Sequence, residues 1–428
     1  MSSATEAPTL ALHGGPKAVQ ATDPSLFHWP IITEEDEAAV LEVLRAGKMS
    51  GIDVTLKFEE EMAAWHGVRY ALAHNNGTAA LQAAMWACGV RHGDEIIGPS
   101  LTYWASLMPA LNLGARVVFA DIERESLNID PADVERRITP RTKAIVAVHY
   151  TGYPCDMDRL LEIARRHKVK LIEDVSHAHG TLYKGRLAGT MGDVGCMSLM
   201  SGKSLACGEG GMLITNDESI WQRAAAFGHY ERTGGPSRYA KSTVAITDPE
   251  LTQYAGVPLG GFKYRMHQLT SALGRVQLKH YAERRAEIDR AMNRFGDLLE
   301  GTPGIRLHRV RQENCSMGGW YYPLAHYNAE ELGGLKIEKF CEALRAEGVP
   351  CAPGANKPLH LHSVFHGADI YGTGRVQKTE IERLPVSEGV ASSIFSVPWF
   401  KHDRAGEIAA YANAINKVAH AAKRGLIQ

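Results

Sequence analysis

Four short stretches of the sequence combine residue types that can bind or react with a small molecule. In the first, Asn76-Gly77-Thr78, a short apolar strand leads into a helix. Free N–H groups and the positive dipole end at a helix start favour a phosphate; Gly77 permits close approach, and the Thr78 hydroxyl can donate. Because Asn, Ser and Thr cap most helices, an ordinary N-cap is the simpler interpretation of this stretch alone.

The second stretch is an apolar strand that ends in two carboxylates, Glu173 and Asp174. A carboxylate at the end of a buried strand needs a partner, and a pyridinium N–H, a metal or an arginine could each provide one. His177 and His179 follow, but their i, i+2 spacing fits neither one helical face nor the HExxH motif. No metal site is therefore predicted.

The third stretch places a lysine between two apolar strands, with Ser198 at the end of one strand and Lys203 in the Gly/Ser-rich loop after it. Desolvation in such a loop can make an amine nucleophilic enough to form a Schiff base with a carbonyl. Most lysines are simply solvated. A P-loop is excluded, because the sequence SLMSG precedes Lys203 instead of the GxxxxG of that motif.

The fourth stretch is an aromatic pair, Tyr103 and Trp104, just after a predicted strand at residues 95–100. These rings could lie flat against a planar cofactor or belong to the core. Together the four stretches offer a phosphate anchor, a flat aromatic, a carboxylate and an amine, which are the parts needed to hold pyridoxal phosphate. Its aldehyde requires a lysine, its pyridine nitrogen works best protonated, and its phosphate suits a helix start.

The elements that must position these stretches alternate between helix and strand patterns from residue 33 to residue 216. Thr33 and Asp36 resemble a capping box that opens a helix through Leu44. A second helix is predicted from Gly77 and a third over 157–168, with compact β-branched runs between the helices. This alternation indicates a mostly parallel sheet covered by helices, in which ligands bind at the carboxyl ends of the strands.

The alternation of helix and strand patterns ends near residue 216, and the pattern that follows a later long helix predicts a second domain. Residues 228–260 are rich in Gly, Pro, Ser and Thr without a period and are interpreted as a long functional loop. A long helix is predicted from about residue 266, followed by a smaller α+β unit. We therefore expect a large cofactor-binding domain with an N-terminal arm at 1–275 and a small C-terminal domain at 276–428.

Composition excludes several classes of protein. The 428 residues carry 47 Lys+Arg against 48 Asp+Glu, a net charge of −1, which argues against nucleic acid as a partner. No uncharged apolar window of about 18 residues and no signal-peptide pattern occur, so we expect a cytoplasmic protein that does not span a membrane. The seven cysteines follow no disulfide or zinc spacing and are expected to be reduced.

The motifs resemble the fold-type-I pyridoxal-phosphate aminotransferases of the DegT/StrS type, which aminate keto-sugars and keto-cyclitols. The likeness covers nearly the whole chain, and its most specific stretches are NNGTAAL (75–81), LIEDVSHAHG (171–180), SLMSGKSLACGEGG (198–211) and GGFKYRMHQL (260–269). The resemblance implies an α/β large domain with a mostly parallel sheet, a smaller α+β domain, and a homodimer with its active site at the subunit interface. It also implies an amino-acid donor, glutamate or glutamine.

The resemblance also implies roles for individual residues. Lys203 would bind the cofactor and move the substrate proton, and Asp174 would pair with the pyridine nitrogen. His177 would lie near the ring hydroxyl and Tyr103 against the ring face, while the phosphate would be bound by Gly77, Thr78 and Ser198.

Two positions depart from the family pattern. Lys263 replaces an asparagine that, in relatives, reaches the phosphate from the neighbouring subunit, and a lysine can still act there as a charged donor. Asn76 replaces the usual serine before Gly-Thr. For the substrate, basic loop residues such as Arg232 and Arg265 could bind a nucleotide diphosphate, and His360 could line the pocket from the second domain.

Three functions remain open from the sequence. The first is amination of a keto-sugar or a keto-cyclitol. The second is a dehydratase or aromatase of the same fold, of the aminohydroxybenzoate-synthase type. In the sugar dehydratases a histidine replaces the lysine, so Lys203 disfavours those but not the aromatase. The third is a non-catalytic sensor that keeps the cofactor fold, for which an intact lysine and aspartate would be hard to explain.

Overall fold

A computed structural model describes residues 9–20, 23–234, 243–257, 259–367 and 380–427. Part of the loop predicted at 228–260 therefore lies outside the described residues. Within the described ranges, no helix combines the length and the apolar composition that crossing a membrane requires.

A seven-stranded sheet forms the centre of the large domain. The strands of the chain are β1 (Tyr70–His74), β2 (Glu95–Pro99), β3 (Arg116–Ala120), β4 (Thr142–Val148), β5 (Lys170–Asp174), β6 (Leu182–Tyr183), β7 (Arg186–Leu187), β8 (Val194–Ser198), β9 (Gly211–Thr215), β10 (Ile305–Leu307), β11 (Leu324–Tyr327) and β12 (Ile394–Ser396). The sheet order is β1-β9-β8-β5-β4-β2-β3. Strands β3, β2, β4, β5 and β8 are parallel, and β9 runs antiparallel to both β8 and β1. The predicted α/β fold with a mostly parallel sheet is confirmed.

Helices cover both faces of this sheet because the parallel strands need crossover connections. The helices are α1 (Glu34–Arg45), α2 (Asp53–His66), α3 (Gly77–Ala87), α4 (Pro109–Asn112), α5 (Pro131–Arg137), α6 (Met157–His167), α7 (Glu218–Gly228), α8 (Gln268–Leu298), α9 (Ile337–Ala346), α10 (Pro385–Gly389) and α11 (Ala405–Lys423). The predicted capping box of α1 is present, with the Thr33 N–H donating to Asp36 Oδ2 at 2.8 Å. Helix α2 was not predicted.

The long helix α8 serves two hydrophobic cores. Leu278 and Tyr281 pack with α2 and the sheet, whereas Met292 and Phe295 belong to the core of the small domain. That second core contains the antiparallel sheet β10-β11-β12, helices α9 and α11, and Leu26 of the N-terminal arm. The boundary predicted at 275/276 falls inside this continuous helix.

Candidate active site

A cavity of about 540 Å³ opens at the carboxyl ends of β2, β4, β5 and β8. This position follows from the topology, because loops after parallel strands converge on one edge of the sheet. Its lining includes nine of the residues that the sequence singles out: Asn76, Gly77, Thr78, Tyr103, Trp104, Asp174, His177, Ser198 and Lys203. The cavity thus brings together stretches that lie up to 127 positions apart, from Asn76 to Lys203.

Lys203 is buried in this cavity. Its Nζ lies 3.9 Å from the ring centroid of Tyr321, and its backbone carbonyl accepts a 2.9 Å hydrogen bond from the Trp29 indole N–H. Burial lowers the pKa of the amine to about 8, although the carboxylate of Asp174 opposes this shift. About a tenth of the amine is then neutral at pH 7, far more than for an ordinary lysine, so Lys203 can act as a nucleophile.

Asp174 ends β5 as a buried carboxylate held by its own chain. Its Oδ2 accepts from the Ser106 hydroxyl at 2.7 Å, and its Oδ1 accepts from the Ser176 N–H at 3.0 Å. The Ser106 hydroxyl also lies 2.9 Å from that of Thr102. Since a carboxylate offers about four lone-pair sites, Asp174 can still accept a pyridinium N–H.

The start of α3 forms a cradle for an anion. Asn76 caps the helix by accepting from the Ala79 N–H at 2.8 Å, which leaves the N–H groups of Gly77 and Thr78 without intrahelical partners. A Cβ at Gly77 would lie 2.8 Å from Ser198 Cα, so only glycine allows this contact between α3 and β8. The helix start, the amine and the carboxylate together fit pyridoxal phosphate.

His177 borders the same cavity as a neutral imidazole. Burial lowers its pKa well below the usual value, and the nearby Lys203 adds to the effect. Its Nδ1 accepts from the Thr151 N–H at 3.4 Å, so the proton lies on Nε2. The ring contacts Tyr150 and Tyr321, with centroids 5.5 and 4.5 Å away. A neutral His177 can therefore donate from Nε2.

Several lining residues were not identified from the sequence: Ser106, Ser176, Tyr321, Tyr322 and Asn356. Ser176 lies within a quoted motif, but Tyr321 and Asn356 come from the second domain, where no local pattern marks them. The Asn356 Oδ1 accepts from the buried Tyr150 hydroxyl at 2.7 Å. Its Nδ2 is the donor end of the same side chain, which lines the cavity.

Three further residues singled out by the sequence do not line the cavity of the described chain. Lys263 is exposed, and Arg265 lies 3.8 Å from Glu231. His360 is buried, with its Nδ1 2.6 Å from the Ser100 hydroxyl and its Nε2 3.4 Å from Glu388.

Arg232 is not available to a ligand either. It is buried in a bidentate ion pair with Glu59, with N–O distances of 2.6 and 2.9 Å. The ion pair therefore argues against the suggestion that Arg232 binds a nucleotide diphosphate.

The sheet, the buried lysine and the buried aspartate define a pyridoxal-phosphate-dependent enzyme of fold type I. Among solved structures, an aminotransferase from Psychrobacter cryohalolentis superposes with a TM-score of 0.78 at 28% identity, covering 91% of this chain and 97% of that one. The family model for the DegT/DnrJ/EryC1/StrS aminotransferases matches residues 30–415. The chain belongs to this family, and it is an aminotransferase.

Two curated proteins are similar to this chain over most of its length. GDP-perosamine synthase of Caulobacter vibrioides is 38% identical over 338 residues, which are 78% of this chain and 84% of that protein. The spore coat polysaccharide biosynthesis protein SpsC of Bacillus subtilis is 37% identical over 340 residues, 79% of this chain and 85% of that protein.

Proposed function

We propose that the protein carries pyridoxal phosphate on Lys203 and transfers an amino group from glutamate or glutamine to the ketone of a sugar or cyclitol. One observation carries this proposal: a single cavity contains the buried amine of Lys203, whose pKa is lowered, and the buried carboxylate of Asp174. The same cavity is lined by the start of α3, where only glycine can occupy position 77. Similarity to GDP-perosamine synthase supports a sugar as the acceptor.

Four of the lining residues have specific roles toward the cofactor in this proposal. The bound cofactor supplies an electron sink for the carbon that carries the amino group. Lys203 takes a proton at Nζ and returns it, acting as base and then as acid. Asp174 would keep the pyridine nitrogen protonated, and His177 would donate from Nε2 to the ring hydroxyl. Tyr103 lines the cavity with its side chain half exposed and would lie against the ring face.

The start of α3 would hold the phosphate of the cofactor. The N–H groups of Gly77 and Thr78 point out of the first helical turn, where the helix dipole favours negative charge. The hydroxyls of Thr78 and Ser198 add donors, and both residues line the cavity. Ser176 belongs to the same group, because its Oγ accepts the Ser198 N–H at 3.0 Å and its own proton remains free to donate.

The remaining lining suits a polyhydroxylated ring. Trp104 and Tyr322 expose 40% and 42% of their surface and offer flat apolar faces to the C–H faces of such a ring. The Asn356 Nδ2 offers a donor to a hydroxyl. Pockets that combine apolar walls with a few placed polar groups are typical small-molecule sites.

The proposal includes a homodimer with its active site at the interface. Lys263 is exposed and does not line the cavity of its own chain. In the proposed dimer its ammonium would reach the phosphate of a second copy as a charged donor. Arg265, two residues on, would add positive charge beside the acceptor. His360 is left out, because both its ring nitrogens already have partners.

Absorbance spectroscopy tests this function. Purified protein loaded with pyridoxal phosphate is scanned before and after L-glutamate or L-glutamine is added, for wild type and Lys203→Ala. A second buried lysine, Lys401, whose Nζ lies 5.1 Å from the Trp29 ring, provides the control Lys401→Met. We expect a lysine–cofactor band in wild type and control that disappears with one donor, and no such band in Lys203→Ala.

Acceptors are then tested with the donor-treated enzyme. Keto-sugars, free and nucleotide-linked, and keto-cyclitols are each mixed with it, and the aminated product is detected by mass spectrometry. A wild type that binds the cofactor but is converted by no amino donor would overturn the proposal. That result would favour a dehydratase or aromatase.

A further inference from the structure

Tyr321 makes an aromatic contact with the reactive amine. The Nζ of Lys203 lies 3.9 Å from the centroid of its ring. The same ring lies 4.5 Å from the imidazole of His177 at an interplanar angle of 39°, and it meets the Trp399 ring edge to face at 5.7 Å. One side chain of the second domain thus contacts two groups of the large-domain site.

The backbone around Tyr321 adopts a conformation that bulky residues rarely use. Trp320 and Tyr322 have φ values of +55° and +54°, in the left-handed region. Such strain persists only where the surrounding structure enforces it, and it clusters at functional sites.

Packing on both sides enforces this conformation. Trp320 is almost fully buried, and its indole N–H donates to Asp289 of α8 at 2.7 Å. The Trp399 indole N–H donates to the Gly319 carbonyl at 3.1 Å. The segment is therefore held between α8 and the residues after β12, with Tyr321 directed at Lys203.

We propose that Tyr321 is a positioning residue for Lys203, whose ring face stabilises positive charge on Nζ and holds the amine beside His177. The inference rests on the proposed function, in which Lys203 binds the cofactor. Because the contact uses the ring face, the aromatic ring is required and the hydroxyl is not.

The charge state of the lysine–cofactor adduct reports this contact. A cation over an aromatic face is stabilised relative to the neutral form, so removing the ring lowers the pH at which the adduct loses its proton. Leucine keeps the site apolar, which separates the loss of the ring from a change in burial. Phenylalanine keeps the ring face and should restore the titration.

The test is a pH titration of holoenzyme absorbance, since the protonated and unprotonated adducts absorb at different wavelengths. We expect Tyr321→Leu to lower the midpoint by about half a pH unit or more, and Tyr321→Phe to titrate as wild type. Tyr254→Leu, which removes a 40% exposed tyrosine ring that does not line the cavity, is the control and should leave the midpoint in place. A single turnover with donor should slow about tenfold in Tyr321→Leu alone.

The outcomes separate this inference from the proposed function. If wild type forms no lysine–cofactor adduct, the proposed function fails. If the adduct forms but Tyr321→Leu titrates as wild type, or Tyr321→Phe shifts as far as Tyr321→Leu, the role of the ring face is refuted. Should Tyr321→Leu not fold, as judged by thermal melting, Tyr321→Met provides the same comparison.

Discussion

The hydroxyl of Ser106 donates to Oδ2 of Asp174 at 2.7 Å, and this hydrogen bond joins the segment after β2 to the end of β5. The other carboxylate oxygen accepts from the chain just beyond it, at Ser176. Both oxygens are therefore oriented before any ligand arrives. Charged groups that are already oriented in this way provide most of the electrostatic stabilisation of the transition state in many active sites.

Replacing Asp174 by asparagine removes the charge and keeps the shape. We expect the donor half-reaction to slow by about 100-fold or more, because the pyridine nitrogen loses the partner that keeps it protonated. Ser106→Ala removes one hydrogen bond to a charged group and should slow it about tenfold. Stopped-flow absorbance after mixing with glutamate measures both rates. An Asp174→Asn enzyme at wild-type speed would contradict this role.

Gly77→Ala should weaken cofactor binding. The added Cβ would lie 2.8 Å from the backbone of Ser198, so α3 must shift away from β8 and its N–H groups leave the phosphate position. We expect the Kd for pyridoxal phosphate to rise about tenfold or more, measured by fluorescence titration. Gly406→Ala in α11, where a Cβ meets no atom within 4 Å, is the control and should bind normally.

The rate at which apoenzyme takes up the cofactor should depend on pH through Lys203. Only the neutral amine attacks the aldehyde, and burial lowers its pKa to about 8. The rate should therefore rise with pH, with a midpoint near 8, and then level off. With an unperturbed lysine, the rate would continue to rise up to about pH 10.4. Appearance of the adduct band between pH 6.5 and 10 measures the profile, and a continued rise would exclude the lowered pKa.

Glu173 should matter for stability and not for chemistry. Burial raises its pKa, but the hydrogen bond from His149 and those from the N–H groups of Gly189, Met191 and Gly192 outweigh this and lower it. A carboxyl whose pKa is lower in the folded state stabilises the fold at pH values above its pKa in the unfolded chain, which is about 4.3. This stabilisation is lost as the pH falls.

Glu173→Ala should therefore cost about 3–5 kcal/mol of unfolding free energy at pH 7, measured by urea denaturation. Glu173→Gln, which retains one acceptor oxygen, should lose less. The difference in unfolding free energy between wild type and Glu173→Ala should become smaller below pH 4. A deficit that stays constant with pH would show that the carboxylate charge is not its source.

The part of the site that follows parallel strands could be predicted from the sequence, because topology alone brings such loops together. Asp174, His177, Ser198 and Lys203 all lie at or just after the ends of β5 and β8. Gly77 was identified because glycine lets a phosphate approach a helix start closely, whereas the structure requires glycine there for the contact between α3 and Ser198 of β8.

The rest depends on packing between distant parts of the chain. Tyr321 and Asn356 reach the cavity only because the second domain packs against the first, and neither carries a local motif. Helix α2 escaped prediction as well. The role of α2 follows from its long-range partners. For example, Glu59 of α2 forms an ion pair with Arg232, which joins the helix to the segment after α7.

Helix α8 ties the unfolding of the two domains together. Its 31 residues supply both the core around the sheet and the core of the small domain. The Tyr281 hydroxyl on this helix donates to the His179 carbonyl at 2.7 Å and lies 2.9 Å from the hydroxyl of Ser204, next to Lys203. Unfolding of either domain would expose apolar surface that α8 buries in the other. Heating should therefore produce one cooperative transition, and the cofactor band should disappear within that transition.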